Sequence, residues 1–131
     1  TGEIRVFSGT GVEFLVDGDA DVANYSQPSG LAVSADGATV YVADSESSAL
    51  RAVDVETGAA TTLIGQGLFV FGDVDGVGEE VRIQHPIGVE VTSDGALVFT
   101  DTYNDKVKRL DPLTLAVETW EWAPPEVDFA G

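Results

Sequence analysis

Gln27-Pro28-Ser29-Gly30-Leu31-Ala32-Val33 and His85-Pro86-Ile87-Gly88-Val89-Glu90-Val91 are one motif written twice, with Pro28 and Pro86 58 positions apart. Each copy runs through an Asp-Gly pair, Asp36-Gly37 or Asp94-Gly95, into an alternating apolar segment that closes on Asp44-Ser45 or Asp101-Thr102. The offset there is 57, because the second copy is one residue shorter at the turn. The register persists to Asp54 and Asp111 and to Thr62 and Thr119. Units of this size cannot bury an apolar face alone, so a well-phased repeat implies modules stacked on one another.

The copies read as strands. Val40 and Val42, like Leu97 and Phe99, alternate with smaller or polar residues, the period of a half-buried strand. Residues 50–55 and 107–111 give a third strand per copy, and residues 60–64 and 117–120 a fourth. Turn residues separate them: Asp36-Gly37, Glu56-Thr57-Gly58, Asp94-Gly95 and Asp111-Pro112. Each copy is therefore a four-stranded antiparallel meander, the unit of a β-propeller blade. Residues 1–11 match residues 57–67, the end of a copy, so the chain is expected to open with the last strand of a preceding blade.

The expected organisation is an all-β propeller fragment: residues 1–11 as that last strand, 12–65 and 66–122 as two repeats with long lead-in loops, and 123–131 as an extended tail. Two blades cannot close a ring, so either further blades exist or chains assemble to complete it. Methionine is absent, which points to a processed or excised fragment. The lead-in loops, residues 9–27 and 65–85, make the repeat longer than the roughly 40–50 residues of common blades. Their Phe14, Phe69 and Phe71 are expected to tuck over blade edges.

With 23 acidic residues against 6 basic, the net charge is −17. Such a surface repels phosphate backbones and anionic lipid, which argues against nucleic acid and membrane as partners and favours basic partners or cations. A solvated acidic surface suited to a saline habitat is the bland alternative. No cysteine is present, so disulfides, thiol nucleophiles and thiolate metal sites are excluded. No apolar run approaches the roughly 20 residues needed to cross a bilayer, and residues 1–5 show no signal-peptide pattern. The compartment stays undetermined.

Pro28-Ser29-Gly30-Leu31-Ala32-Val33, Tyr41-Val42-Ala43-Asp44 and Val53-Asp54-Val55-Glu56-Thr57-Gly58 resemble the NHL repeat, as does the second copy from Phe99 to Lys108. The stretches Ala43 to Arg51, Phe71 to Gly78, Gln84 to Val89 and Asp101-Thr102-Tyr103-Asn104 are similar to the propeller part of thioredoxin-like NHL-repeat-containing proteins. The resemblance covers residues 26–120. It implies a six-bladed propeller, preceded in full-length relatives by a thioredoxin-like domain. Ser47 stands where the family pattern has Asn, and the surface is more acidic than that pattern requires.

Candidate sites are few. Asp17, Asp19 and Asp21 offer alternate carboxylates, as do Asp73 and Asp75, and calcium is the cation such loops would take. An EF-hand is excluded, because Val22 replaces its glycine and Pro28 or Gln84 stands where a bidentate Glu is required. The single histidine, His85, occupies the place of Gln27 in the other copy, a structural loop position. One histidine cannot build the multi-histidine site of amidating-lyase propellers, and no Ser sits in a nucleophile elbow. Lactonase-type propellers place Glu, Asn and Asp around an axial metal, but Asn24 and Asn104 do not fall on innermost strands.

No catalytic residue is therefore assigned. Asp44 and Asp101 read first as structural, either accepting backbone N–H bonds in the following turn or pairing with a basic side chain. Arg51 and Lys108 hold equivalent third-strand positions from which they could meet acids across strands. The functional reading makes Asp44, Asp101, Tyr103 and Asn104 a partner-facing surface. The expected role is a non-catalytic interaction platform for a protein or peptide, with no cofactor of its own. The competing reading is part of a metal-dependent lactonase- or lyase-type propeller enzyme whose site lies largely outside these blades.

Overall fold

Branched and apolar residues alternating with small ones give each copy its strands, and Asp-centred turns reverse them. The computed structural model describes residues 1–121. In the first copy β1 (Pro28–Val33), β2 (Thr39–Asp44), β3 (Ala49–Asp54) and β4 (Ala60–Ile64) form an antiparallel meander in sequence order. The second copy contributes β5 (Gly76–Val77), β6 (Pro86–Val91), β7 (Leu97–Asp101), β8 (Lys106–Leu110) and β9 (Ala116–Thr119). Its order is β5-β9-β8-β7-β6, so two residues of the lead-in loop extend the outer edge of the second meander. A 3-10 turn, Thr102–Asn104, joins β7 to β8, and another, Gly78–Glu80, follows β5. No helix among the described residues is long and apolar enough to cross a membrane. The two stacked meanders are the expected propeller blades.

Cross-strand rows show how the blades stack. In the second blade Val91, Leu97, Leu110 and Val117 lie side by side across β6, β7, β8 and β9. This row, with Phe99 and Val89, packs against Ala43, Leu50 and Ile64 of the first blade, and Ala32 and Tyr41 join the same core. Where the innermost strands β1 and β6 meet, a Cβ on Gly30 would sit 2.1 Å from the Ile87 carbonyl oxygen. The glycine of the Pro-x-Gly motif is therefore required by close approach of the blades' backbones.

The repeat also reveals what is unmatched. The first-blade row equivalent to Val91-Leu97-Leu110-Val117 is Val33-Val40-Val53-Ala60, on the face away from the second blade. There Leu31 is 67% exposed and Val33 57%. On the far side of the second blade the corresponding row is Glu90-Val98-Arg109-Glu118, where the first blade carries Ala32-Tyr41-Ala52-Thr61. One end face is apolar; the other is charged.

Two expectations change. Residues 1–11 form no strand. Gly9 donates its N–H to Ala20 O at 2.9 Å, and the Phe7 backbone carbonyl lies so close to Gly58 that an added Cβ there would sit 2.5 Å from its oxygen. A strand exists only in a ladder, and neither sheet pairs with this segment. The lead-in phenylalanines do not tuck over blade edges either; Phe14 and Phe71 are about half exposed and Phe69 is 85% exposed. The lead-in loops are held by charge instead. Residue 122 and the expected tail, 123–131, lie outside the described residues.

Candidate functional site: two buried-cation latches and the loop rim beside them

The most polar parts of the interior are two equivalent networks. In the first blade Arg51, on β3, is fully buried. Its Nη1 bonds Asp44 Oδ2 at 2.9 Å and the Asn24 carbonyl at 2.8 Å, while Nη2 bonds Asp17 Oδ1 and the Val16 carbonyl, each at 3.0 Å. Its guanidinium carbon lies 4.7 Å from the centre of the Tyr25 ring. Asp44 is also fully buried and accepts the Ser26 N–H at 2.7 Å. Asp17 accepts both the backbone N–H and the hydroxyl of Thr62, at 2.9 and 2.7 Å. One cation thus ties the lead-in loop to β2, β3 and β4.

The second blade repeats the device with a lysine. Lys108 Nζ lies 2.6 Å from Asp73, 3.0 Å from Asp75 and 3.2 Å from Asp101. Asp101 accepts the Gln84 N–H at 2.7 Å, as Asp44 accepts that of Ser26. Asp75 takes the N–H and hydroxyl of Thr119, both at 2.8 Å, as Asp17 takes those of Thr62. Lys106 adds a second ammonium at Asp73. Asn104 donates to the Gly72 carbonyl at 2.7 Å and to Asp101 at 2.8 Å, closing the network. Burial alone would cost such charges heavily, and mutual pairing with further hydrogen bonds offsets that cost.

The structure places each of the expected site residues. Asp44 and Asp101 are fully buried, and Asn104 is turned inward onto Asp101, so these three do not form a partner-facing surface. The structural reading of the two aspartates is the one observed: each pairs with the cation on the neighbouring strand. Their backbone donors, Ser26 and Gln84, precede the inner strand and do not belong to the following turn. Asp17, Asp73 and Asp75, read as cation ligands, face cations supplied by the chain itself. Asp19 contributes its carbonyl to Val22 and Ala23, and Asp21 is drawn into neither latch. Among the described residues no group of three or more His, Cys, Asp or Glu side chains is placed to hold a metal ion. The signal in the sequence was the shared offset: Asp17/Asp75, Arg51/Lys108 and Thr62/Thr119 recur together.

Several carboxyls titrate away from their usual 3.8. The hydrogen bonds from Lys106 and then Lys108 hold Asp73 low. Burial would raise Asp75, but Thr119 and Lys108 outweigh it and leave it low. Burial likewise acts to lower Lys108, yet Asp73, Asp75 and Asp101 hold it up. Asp94, bonded by Thr92, the Ala96 N–H and Arg109, is lowered to about 2. Burial pushes Asp44 up, against the Ser26 N–H and Arg51. A carboxyl depressed in the fold contributes stability that is full above its unfolded value and lost as pH falls through its folded value. Stability is therefore expected to fall as the pH drops below about 4, with Asp44 working in the opposite direction. Urea midpoints against pH check this, and Asp73→Asn should flatten the acid limb.

What remains at the surface is a small rim at the start of β6. The His85 and Tyr103 rings stack with centroids 4.2 Å apart and planes 9° from parallel. His85 Nδ1 lies 3.4 Å from Glu46, which comes from the β2–β3 loop of the other blade. The His85 backbone, at φ +56°, donates to Ser48 Oγ at 3.3 Å. Of the four residues expected to face a partner, Tyr103 is the exposed one, and Glu46, which contacts His85, was not among the expected four.

No family model matches the chain. The chain is 46% identical over 125 residues to Protein SUPPRESSOR OF QUENCHING 1, chloroplastic, of Arabidopsis thaliana, covering 90% of this chain and 12% of that protein. To NHL repeat-containing protein 2 of Homo sapiens it is 43% identical over 100 residues, 70% of this chain and 14% of that protein. The chain thus spans about an eighth of the length of these relatives. Among solved structures, a protein of unknown function from Bacteroides thetaiotaomicron superposes with a TM-score of 0.71 at 25% identity, over 86% of this chain and 27% of that one. Virginiamycin B lyase from Staphylococcus aureus superposes at 0.52 and 14% identity, over 81% and 32%, and shows the fold alone. Repeat motif, blade stacking and these likenesses converge on one assignment: the chain is a segment of an NHL-repeat β-propeller.

Proposed function

We propose that this segment is a non-catalytic interaction platform that presents loop residues to a protein or peptide partner of basic character. One observation carries the reading. The carboxylates available for chemistry or for a bound cation, Asp17, Asp44, Asp73, Asp75 and Asp101, are engaged by Arg51, Lys106 and Lys108 in holding loops to blades. Rigid sheets with loops anchored in this way suit recognition, because a pre-ordered surface loses little freedom on binding. The acidic surface adds long-range attraction for a basic partner and repels nucleic acid and anionic lipid.

The enzyme reading draws on the propeller fold shared with a lyase, and fold alone does not transfer activity. The two separate on metal removal. With chelator present, the melting temperature is expected to stay unchanged, because the latches carry their own cations. No lactone- or ester-hydrolysing activity should appear on adding calcium or zinc. A metal-dependent, chelator-sensitive turnover would sink the platform reading.

A further inference from the structure

We propose that the Tyr103–His85–Glu46 rim is a docking point for an arginine side chain of a basic segment; this rests on the platform reading above. In the first copy the positions of His85 and Tyr103 are held by Gln27 and by Glu46 itself, so the aromatic pair occurs once. Four latch positions, by contrast, keep carboxylate, cation and hydroxyl chemistry in both copies: Asp17/Asp75, Asp44/Asp101, Arg51/Lys108 and Thr62/Thr119.

The geometry favours a planar cation. His85 covers one face of the Tyr103 ring, yet Tyr103 remains 60% exposed, so its other side is open to a ligand. An aromatic face attracts a cation through its quadrupole, and a guanidinium lies flat on it with in-plane donors free for a carboxylate. Glu46 stands beside the pair with 39% of its side chain exposed. His85 is fixed from three sides, by the Tyr103 stack, by Glu46 and by Ser48, so the ring it supports is ordered before a ligand arrives. A net charge of −17 supplies the attraction that brings a basic segment to the rim.

The test is calorimetric titration of the full chain at low and physiological salt, with a short arginine-rich peptide, its lysine counterpart and an acidic control. The arginine peptide is expected to bind most tightly, and more weakly as salt rises. Tyr103→Ala should weaken it roughly five- to tenfold, Glu46→Gln should weaken it by a smaller factor, and Tyr103→Phe should preserve it. Equal binding to wild type and Tyr103→Ala, equal affinity for the lysine peptide, or no binding at low salt would overturn the proposal. Those results leave the platform reading standing, which falls only to chelator-sensitive turnover in the same preparations.

Discussion

Asp44→Ala is expected to destabilise the protein by about 3–5 kcal/mol, read as a fall in the urea midpoint at unchanged slope. The loss would not measure the worth of the Asp44–Arg51 bond. Removing the carboxylate leaves Arg51 charged and fully buried, with two carbonyls, the Tyr25 ring and half-exposed Asp17 around it. It also frees the Ser26 N–H at the start of the inner strand. Asp17→Ala should cost only about 1 kcal/mol, because Asp17 is 46% exposed and water screens its share of the pair. The double variant Asp44→Ala/Arg51→Met should recover much of the loss, since an apolar pair leaves no uncompensated charge. If Asp44→Ala and Asp17→Ala cost the same, the buried latch is not the main fastening.

Gly30→Ala comes second. The added methyl carbon would lie 2.1 Å from the Ile87 carbonyl oxygen, and both neighbours are backbone, so no side chain can rotate away. The innermost strands must separate, which opens the shared core around Phe99 and Val89. A loss of about 3 kcal/mol is expected. Gly37→Ala is the control: its φ of +73° also disfavours alanine, but nothing lies within 4 Å of the new carbon, so about 1 kcal/mol should be lost. Similar costs for both substitutions would mean that the blades are not in close contact at the axis.

The repeat made the blades legible. The pattern over residues 60–64 predicts a strand and β4 is Ala60–Ile64; residues 107–111 and 117–120 lie one position from β8 and β9. Period-two patterning and Asp-Gly turns are local signals, so a sequence shows them directly. The latches were harder, because Asp17 and Arg51 are 34 residues apart and no periodicity links them. Only the parallel recurrence of acid, base and threonine in both copies betrays the link. Read one copy at a time, Asp17-Gly18-Asp19 looks like a cation loop; read together, the copies supply their own cations. The first eleven residues failed as a strand for a related reason, since strand character depends on a pairing partner that their sequence does not name. Glu46 went unnoticed because it meets His85 across two blades.

The difference between the two end faces bears on how copies of this chain can meet. Head-to-tail contact would press Leu31 and Val33 of one molecule against Glu90, Arg109 and Glu118 of the next, stripping water from charges that gain no counterpart there. The fragment is thus polarised like a key with one cut edge. Stacking in that orientation would therefore carry a desolvation cost that contact of the Leu31–Val33 face with an apolar surface would not.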